Sequence, residues 1–118
     1  MSHWIKVEFT TPDKPEIIAA ARICGTSRAN AFLAFFRLWA YFDAHTATGF
    51  LPGLVLEDLD DIAKLRGFGQ AMANVGWISA TDQGISIANW EIHNGESAKK
   101  RALNQRRMQR VRAKERWK

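Results

Sequence analysis

A mostly helical α+β domain carrying a basic C-terminal arm is predicted by three features of this 118-residue sequence. Phe32, Phe35, Phe36 and Trp39 recur at i, i+3, i+4 and i+7, with Phe42 nearly one turn further on, an aromatic stripe that belongs on the core face of a long helix. Two alternating runs flank Asp82-Gln83-Gly84, as the arms of a β-hairpin do. The stretch 96–118 holds ten Lys or Arg residues against two acids; taking that +8 from the whole-chain +5 leaves residues 1–95 at −3. The chain therefore divides into a mildly acidic body, 1–95, and a cationic arm, 96–118.

The length suits one modest domain plus a tail, and five Trp and seven Phe supply a core. Met1 to Phe9 has no signal-peptide character, and no apolar run approaches the roughly 20 residues that span a bilayer. Cys24 is the only cysteine, which excludes an internal disulfide and suits the cytoplasm; its apolar setting makes it a core residue rather than a reactive thiol.

Along the chain, Trp4 to Phe9 alternates and predicts a half-buried strand with Ile5, Val7 and Phe9 on one side. Asp13 is placed to cap a helix over Glu16 to Cys24, with Pro15 in its first turn and Gly25 at its end. Ser27 caps the long helix Arg28 to His45, whose edge carries Arg37 and Tyr41 and whose outer side takes Asp43. Thr48 to Pro52 is short and extended. Glu57 to Arg66 predicts a third helix burying Leu59, Ile62 and Leu65, with Glu57, Asp58, Asp60 and Asp61 crowding its positive end. Those four carboxylates raise the thought of a divalent cation, but they lack the loop glycine and terminal Glu of an EF-hand, and no metal is expected. After Gly67 and Gly69 comes a short helix, Gln70 to Val75, then the hairpin arms Trp77 to Thr81 and Ile85 to Trp90. Helix, glycine-containing turn, short helix and hairpin follow one another as in a winged helix-turn-helix, here with a strand and a helix added in front.

The run Ala73-Asn74-Val75-Gly76 leading directly into Trp77-Ile78 adds to that likeness. Together WIKVEF, DKPEI, Leu38-Trp39, GFLPGL, the Leu-Glu-Asp run, GF with the following VGW, and HNGESAKKRA resemble small phage and prophage proteins of the replication initiator or replisome organiser type. The resemblance spans nearly the whole chain through short motifs. It implies a DNA-binding winged helix in which Gln70 and Asn74 are candidate base readers, Arg66 a phosphate contact, and Asp82 to Gly84, with Gln83, the wing. The short helix has no Lys or Arg and the wing carries Asp82, which weakens readout by this element. The helix pair around Gly25 offers a second helix-turn-helix, presenting Thr26, Ser27 and Arg28, but its second helix is too apolar to come first.

In the arm, Lys99, Lys100, Arg101, Arg106, Arg107, Arg110, Arg112, Lys114 and Arg116 are the candidate phosphate contacts. Ser97 could cap a helix of good helix formers, opposed by like-charge repulsion that an anionic rod would relieve. Leu103, Met108, Val111 and Trp117 form no stripe, so no face for docking on a core or a membrane is expected. The plainer reading is a solvated, disordered tail or localisation signal.

Duplex DNA is thus the expected partner, with the arm supplying affinity and the body orientation. The alternative is a protein-interaction adaptor that recruits or inhibits a host helicase or other replication or transcription protein through the acidic, Trp-rich body. An enzyme is not expected: His3, His45 and His93 are scattered, no HExxH, paired CxxC or phosphate-binding Gly loop occurs, and Glu91 with His93 on one strand face lacks a third partner. His93-Asn94-Gly95 reads as the turn that launches the arm. No cofactor is implied. Dimerisation is left open, as is whether the chain is part of a longer initiator.

Overall fold

The computed structural model describes residues 4–116, with the side chains of 96–97 and 113–116 outside that description. Its helices are α1 (Pro15–Cys24), α2 (Arg28–His45), α3 (Leu56–Ala63), α4 (Phe68–Asn74), α5 (Trp90–His93) and α6 (Glu96–Arg116), and its strands are β1 (Phe50–Pro52), β2 (Ile78–Thr81) and β3 (Gly84–Ile87). The fold is α+β and mostly helical, with a small antiparallel sheet ordered β1-β3-β2. Leu51 pairs with Ile85 on one side of β3, and Ala80 pairs with Ile85 on the other.

The sequence signals that specify α1 and α2 hold. Pro15 occupies the first turn of α1 and Gly25 ends it at φ 66°, a left-handed conformation that costs glycine nothing. The Ser27 hydroxyl accepts the Asn30 N–H at 3.1 Å, which caps α2. Asp13 does not cap α1. It closes a 3-10 turn, Thr11–Asp13, and its carboxylate lies 3.9 Å from the Arg28 guanidinium in the open.

The core gathers Ile17 from α1, Leu38 and Phe42 from α2, Leu59 from α3, Phe68 and Met72 from α4, and Ile85 from β3, all fully buried. Phe35 and Trp39 are buried with them and Phe32 partly so, whereas Phe36 is largely exposed. The buried stripe is completed by Ala31 and Ala34, and its width stops short of position 36.

Four elements differ from expectation. Residues 4–8 join no sheet: the Lys6 N–H donates to the Asn94 side chain at 2.7 Å, and the Glu8 carbonyl accepts the Thr11 N–H at 2.9 Å, closing a turn. Ile5 and Val7 still pack on the core while Phe9 points outward, so the alternation marked a buried face but not a ladder. Helix α3 stops at Ala63, because Lys64 turns left-handed at φ 59°, leaving Leu65 and Arg66 in the connection to α4. Helix α4 begins two residues before Gln70. β3 ends at Ile87, where the left-handed Asn89 (φ 57°) turns the chain and Trp90 opens α5. Glu91 and His93 consequently stand on a helix and not on one face of a strand.

The acid cluster of α3 has local work. Asp58 accepts the Val55 N–H at 2.9 Å. Asp60 accepts the Gly67 and Gly69 N–H groups at 2.9 and 2.8 Å, so one carboxylate caps α4 and fixes the α3–α4 turn. A Cβ on Gly69 would collide with the Leu56 carbonyl, so the turn needs glycine there. Among the described residues no group of three or more His, Cys, Asp or Glu is arranged to hold a metal ion. Asp60→Ala removes two charge-assisted hydrogen bonds and is expected to lower unfolding free energy by about 2 kcal/mol in chemical denaturation, more than Asp61→Ala, whose side chain is exposed.

Candidate nucleic-acid interface

The arm is one continuous helix of 21 residues, about 31 Å long at ~1.5 Å per residue. It starts at a tight corner. Gly95 packs against Glu91, where a Cβ would overlap the Glu91 backbone, and the Gly95 N–H donates to the Trp90 carbonyl at 2.8 Å. Trp90 in turn is buried against Phe42 of α2, 6.5 Å between ring centroids with the rings tilted.

The base of α6 is docked on the body, contrary to the expectation of an arm with no packing face. Ala98 is buried, and Lys99 is only 4% exposed. The Lys99 ammonium is ion-paired and hydrogen-bonded to the Asp43 carboxylate of α2, and it lies 5.1 Å from the centre of the Trp4 ring. Lys99 is therefore spent on the body, unlike the exposed cations from Lys100 to Arg112, because a buried carboxylate must be paired. Asp43, expected on the outer side of α2, is 8% exposed. One sequence signal bears on this: Asp43 falls at i+4 from the buried Trp39, one turn along the apolar stripe, and a buried acid calls for a cation.

Beyond the base, every described side chain from Lys100 to Arg112 is exposed except that of Ala102, which is half-buried. At helical spacing the exposed cations fall into three pairs pointing in different directions, roughly 90–150° apart: Lys100 with Arg107, Arg101 with Arg112, and Arg106 with Arg110. Leu103, Met108 and Val111 are exposed and share no stripe. The Ser97 cap and the side chains of Lys114 and Arg116 lie outside the described residues.

The second group of candidate residues sits on the body. Gln70 and Asn74 are exposed neighbours on α4, and the Gln70 amide donates to the Asn74 carbonyl oxygen at 2.9 Å. Arg66 is exposed in the turn before α4. Gln83 stands at the hairpin tip, its N–H bonded to the Thr81 hydroxyl at 3.2 Å, beside Asp82. The structure thus joins Gln70 to Asn74 and carries the arm cations on a separate element. Burial, and secondarily the negative charge of Asp60, push the Cys24 thiol above its ordinary value, in keeping with a packed rather than reactive cysteine. Among the described residues no helix is long and apolar enough to cross a membrane. No protein-family model, curated protein or solved structure matches the chain.

Lys99→Ala removes the ammonium from the buried Asp43 carboxylate and is expected to cost about 3 kcal/mol of stability, against less than about 0.5 kcal/mol for Lys100→Ala; the pair Asp43→Leu with Lys99→Met restores most of the loss, as thermal denaturation will register. Cys24 should be alkylated by iodoacetamide at neutral pH more slowly in the native chain than in the same chain unfolded in urea, since the raised thiol value leaves less thiolate.

Proposed function

We propose that this chain is a DNA-binding protein in which the α6 helix grips phosphates and the body orients it on the duplex. The observation that carries the reading is the placement of six exposed cations, Lys100, Arg101, Arg106, Arg107, Arg110 and Arg112, on a helix anchored to a folded body. A cationic rod of helical diameter fits the major groove, and cations pointing in three directions let two of the three pairs meet the phosphates on opposite walls at once. Such contacts supply affinity and position but read little sequence.

The body's part follows from its element order. Helix, strand, helix, helix, strand, strand, with the sheet ordered β1-β3-β2, supports a winged-helix reading in which α2, α3 and α4 are the three helices and the β2–β3 tip is the wing. On that reading α4 faces the groove, Gln70 and Asn74 are free to exchange their mutual bond for a base edge, and Arg66 meets the backbone. The sequence likeness to phage replication initiators and organisers points to a role in DNA replication in the host cytoplasm.

One observation favours a second reading. Gln70 and Asn74 satisfy each other, α4 presents no charge, and Asp82 occupies the tip, so this face suits a protein partner such as a host replication protein at least as well as DNA. A protein contact made by the body survives removal of the arm charges, and DNA binding does not.

Fluorescence anisotropy with labelled duplex over a salt series tests the proposal. Engaging two or three cation pairs predicts a log–log salt slope of roughly −3.5 to −5.5 for the full chain. Replacing Arg106, Arg107, Arg110 and Arg112 together by Gln is expected to flatten that slope by at least about 2 while leaving the fold intact. No binding at low salt, or an unchanged slope in the variant, contradicts the proposal.

A further inference from the structure

Between the N-terminal segment and the turn after β3 lies a half-open cleft of about 140 Å³. Its floor is a mutually packed set of rings: Phe35 to Trp39 at 4.5 Å, Phe35 to Trp77 at 5.6 Å and Trp39 to Trp77 at 5.9 Å between centroids. Its rim carries Lys6, Glu8 and Lys14. A space of this order takes one aromatic ring, since a cavity of ~150 Å³ accepts benzene.

We propose that this cleft is a self-association site, filled by Phe9 of a second copy of the chain in a reciprocal, two-fold contact. Phe9 is 94% exposed, an orientation that leaves a large apolar ring in water. It stands at the tip of the turn closed by the Glu8 carbonyl and the Thr11 N–H, and both Glu8 and Thr11 line the cleft. A knob directly beside a hole on one surface is what a two-fold contact requires, because each copy then offers both halves at once.

Charge points to the same occupant. The Lys14 ammonium lies 3.7 Å from the Glu8 carboxylate, and Lys6 adds a second cation, so the rim carries both signs. A mixed rim can face its own image, with Glu8 of one copy against the lysines of the other, whereas a rim of one sign would repel its copy. A strongly acidic or basic foreign segment gains little from such a rim. The knob is also held in place beforehand: Lys6 is bonded to Asn94, and Trp4 lies over the Lys99 ammonium, so little ordering accompanies contact.

Sedimentation equilibrium of the full chain tests this, in about 1 M salt, where a Debye length of ~3 Å suppresses repulsion between the arms. The wild-type chain is expected to show a concentration-dependent monomer–dimer equilibrium. Phe9→Ala removes the knob, and Ala88→Trp, at an exposed position lining the cleft, blocks the hole. Each should weaken the dimer at least about tenfold, the worth of burying one such side chain. An equimolar mixture of the two variants should associate more strongly than either alone, because the knob of one meets the open hole of the other. Both positions are exposed, so circular dichroism should match wild type. A wild-type chain that stays monomeric, or a Phe9→Ala chain that dimerises as well as wild type, overturns the proposal. A monomer whose Trp fluorescence responds to phenylacetate, with the response lost in Ala88→Trp, overturns it too and gives the cleft to a foreign aromatic group.

Discussion

A buried ion pair, Lys99 with Asp43, holds the base of α6 on the body and so sets where the arm stands. An isolated helix must first order about one turn before propagation repays the cost, and 21 residues rich in like charge nucleate poorly alone. Here the body supplies the nucleus. The Gly95 carbonyl accepts the Lys99 N–H at 3.1 Å, Ala98 is buried, and Asp43 fixes the Lys99 side chain. Propagation through Arg, Gln, Ala and Met then proceeds from a turn already formed. The same pair explains the course of the N-terminus. Trp4 covers the Lys99 ammonium and Lys6 is bonded to Asn94, so residues 4–8 strap the base of the arm instead of extending the sheet.

A second consequence is the segregation of charge. The body, at −3, uses its acids locally: Asp58 and Asp60 at backbone N–H groups, Asp43 on Lys99, Glu8 near Lys14. The arm's remaining cations have no such use within the described residues beyond the base and stay in water. Their mutual repulsion along the helix, of the order of ~0.2–0.5 kcal/mol for each i, i+4 pair such as Arg106 with Arg110, is a small stress that an anionic partner relieves. Packing thus leads to function through placement: the fold holds a line of positive charge away from the acids that would neutralise it.

Much of this was legible in the residues. Ser27, Gly25 and Pro15 act through local hydrogen bonding and backbone preference, so α1 begins at Pro15 and ends at Gly25, and α2 begins after Ser27. The turn Asp82-Gln83 likewise fixed the hairpin. Legibility failed where a distant partner decides. Trp4 to Phe9 has strand alternation, but the Asn94 side chain holds the Lys6 N–H and the chain turns at Glu8, so no ladder forms there. Helix α3 ends three residues before the periodicity predicts because Lys64 turns left-handed and Asp60 draws the chain back onto Gly67 and Gly69. The polarity of Asp43 and the cationic run around Lys99 both point to solvent, and although the spacing of Asp43 from Trp39 asks for a cation, nothing local says which one lies 56 residues away. For the candidate interface, the cations were found by composition and their anchorage was not.

Whether α6 is a continuous helix rigidly based on the body is tested directly by backbone ¹⁵N relaxation of the full chain. Residues 96–104 are expected to show order parameters near those of α2, about 0.85, with a gradual decline only toward the distal end. A drop below about 0.6 beginning at Gly95 would show an arm that hinges freely on the body, and the anchored cationic helix would be refuted.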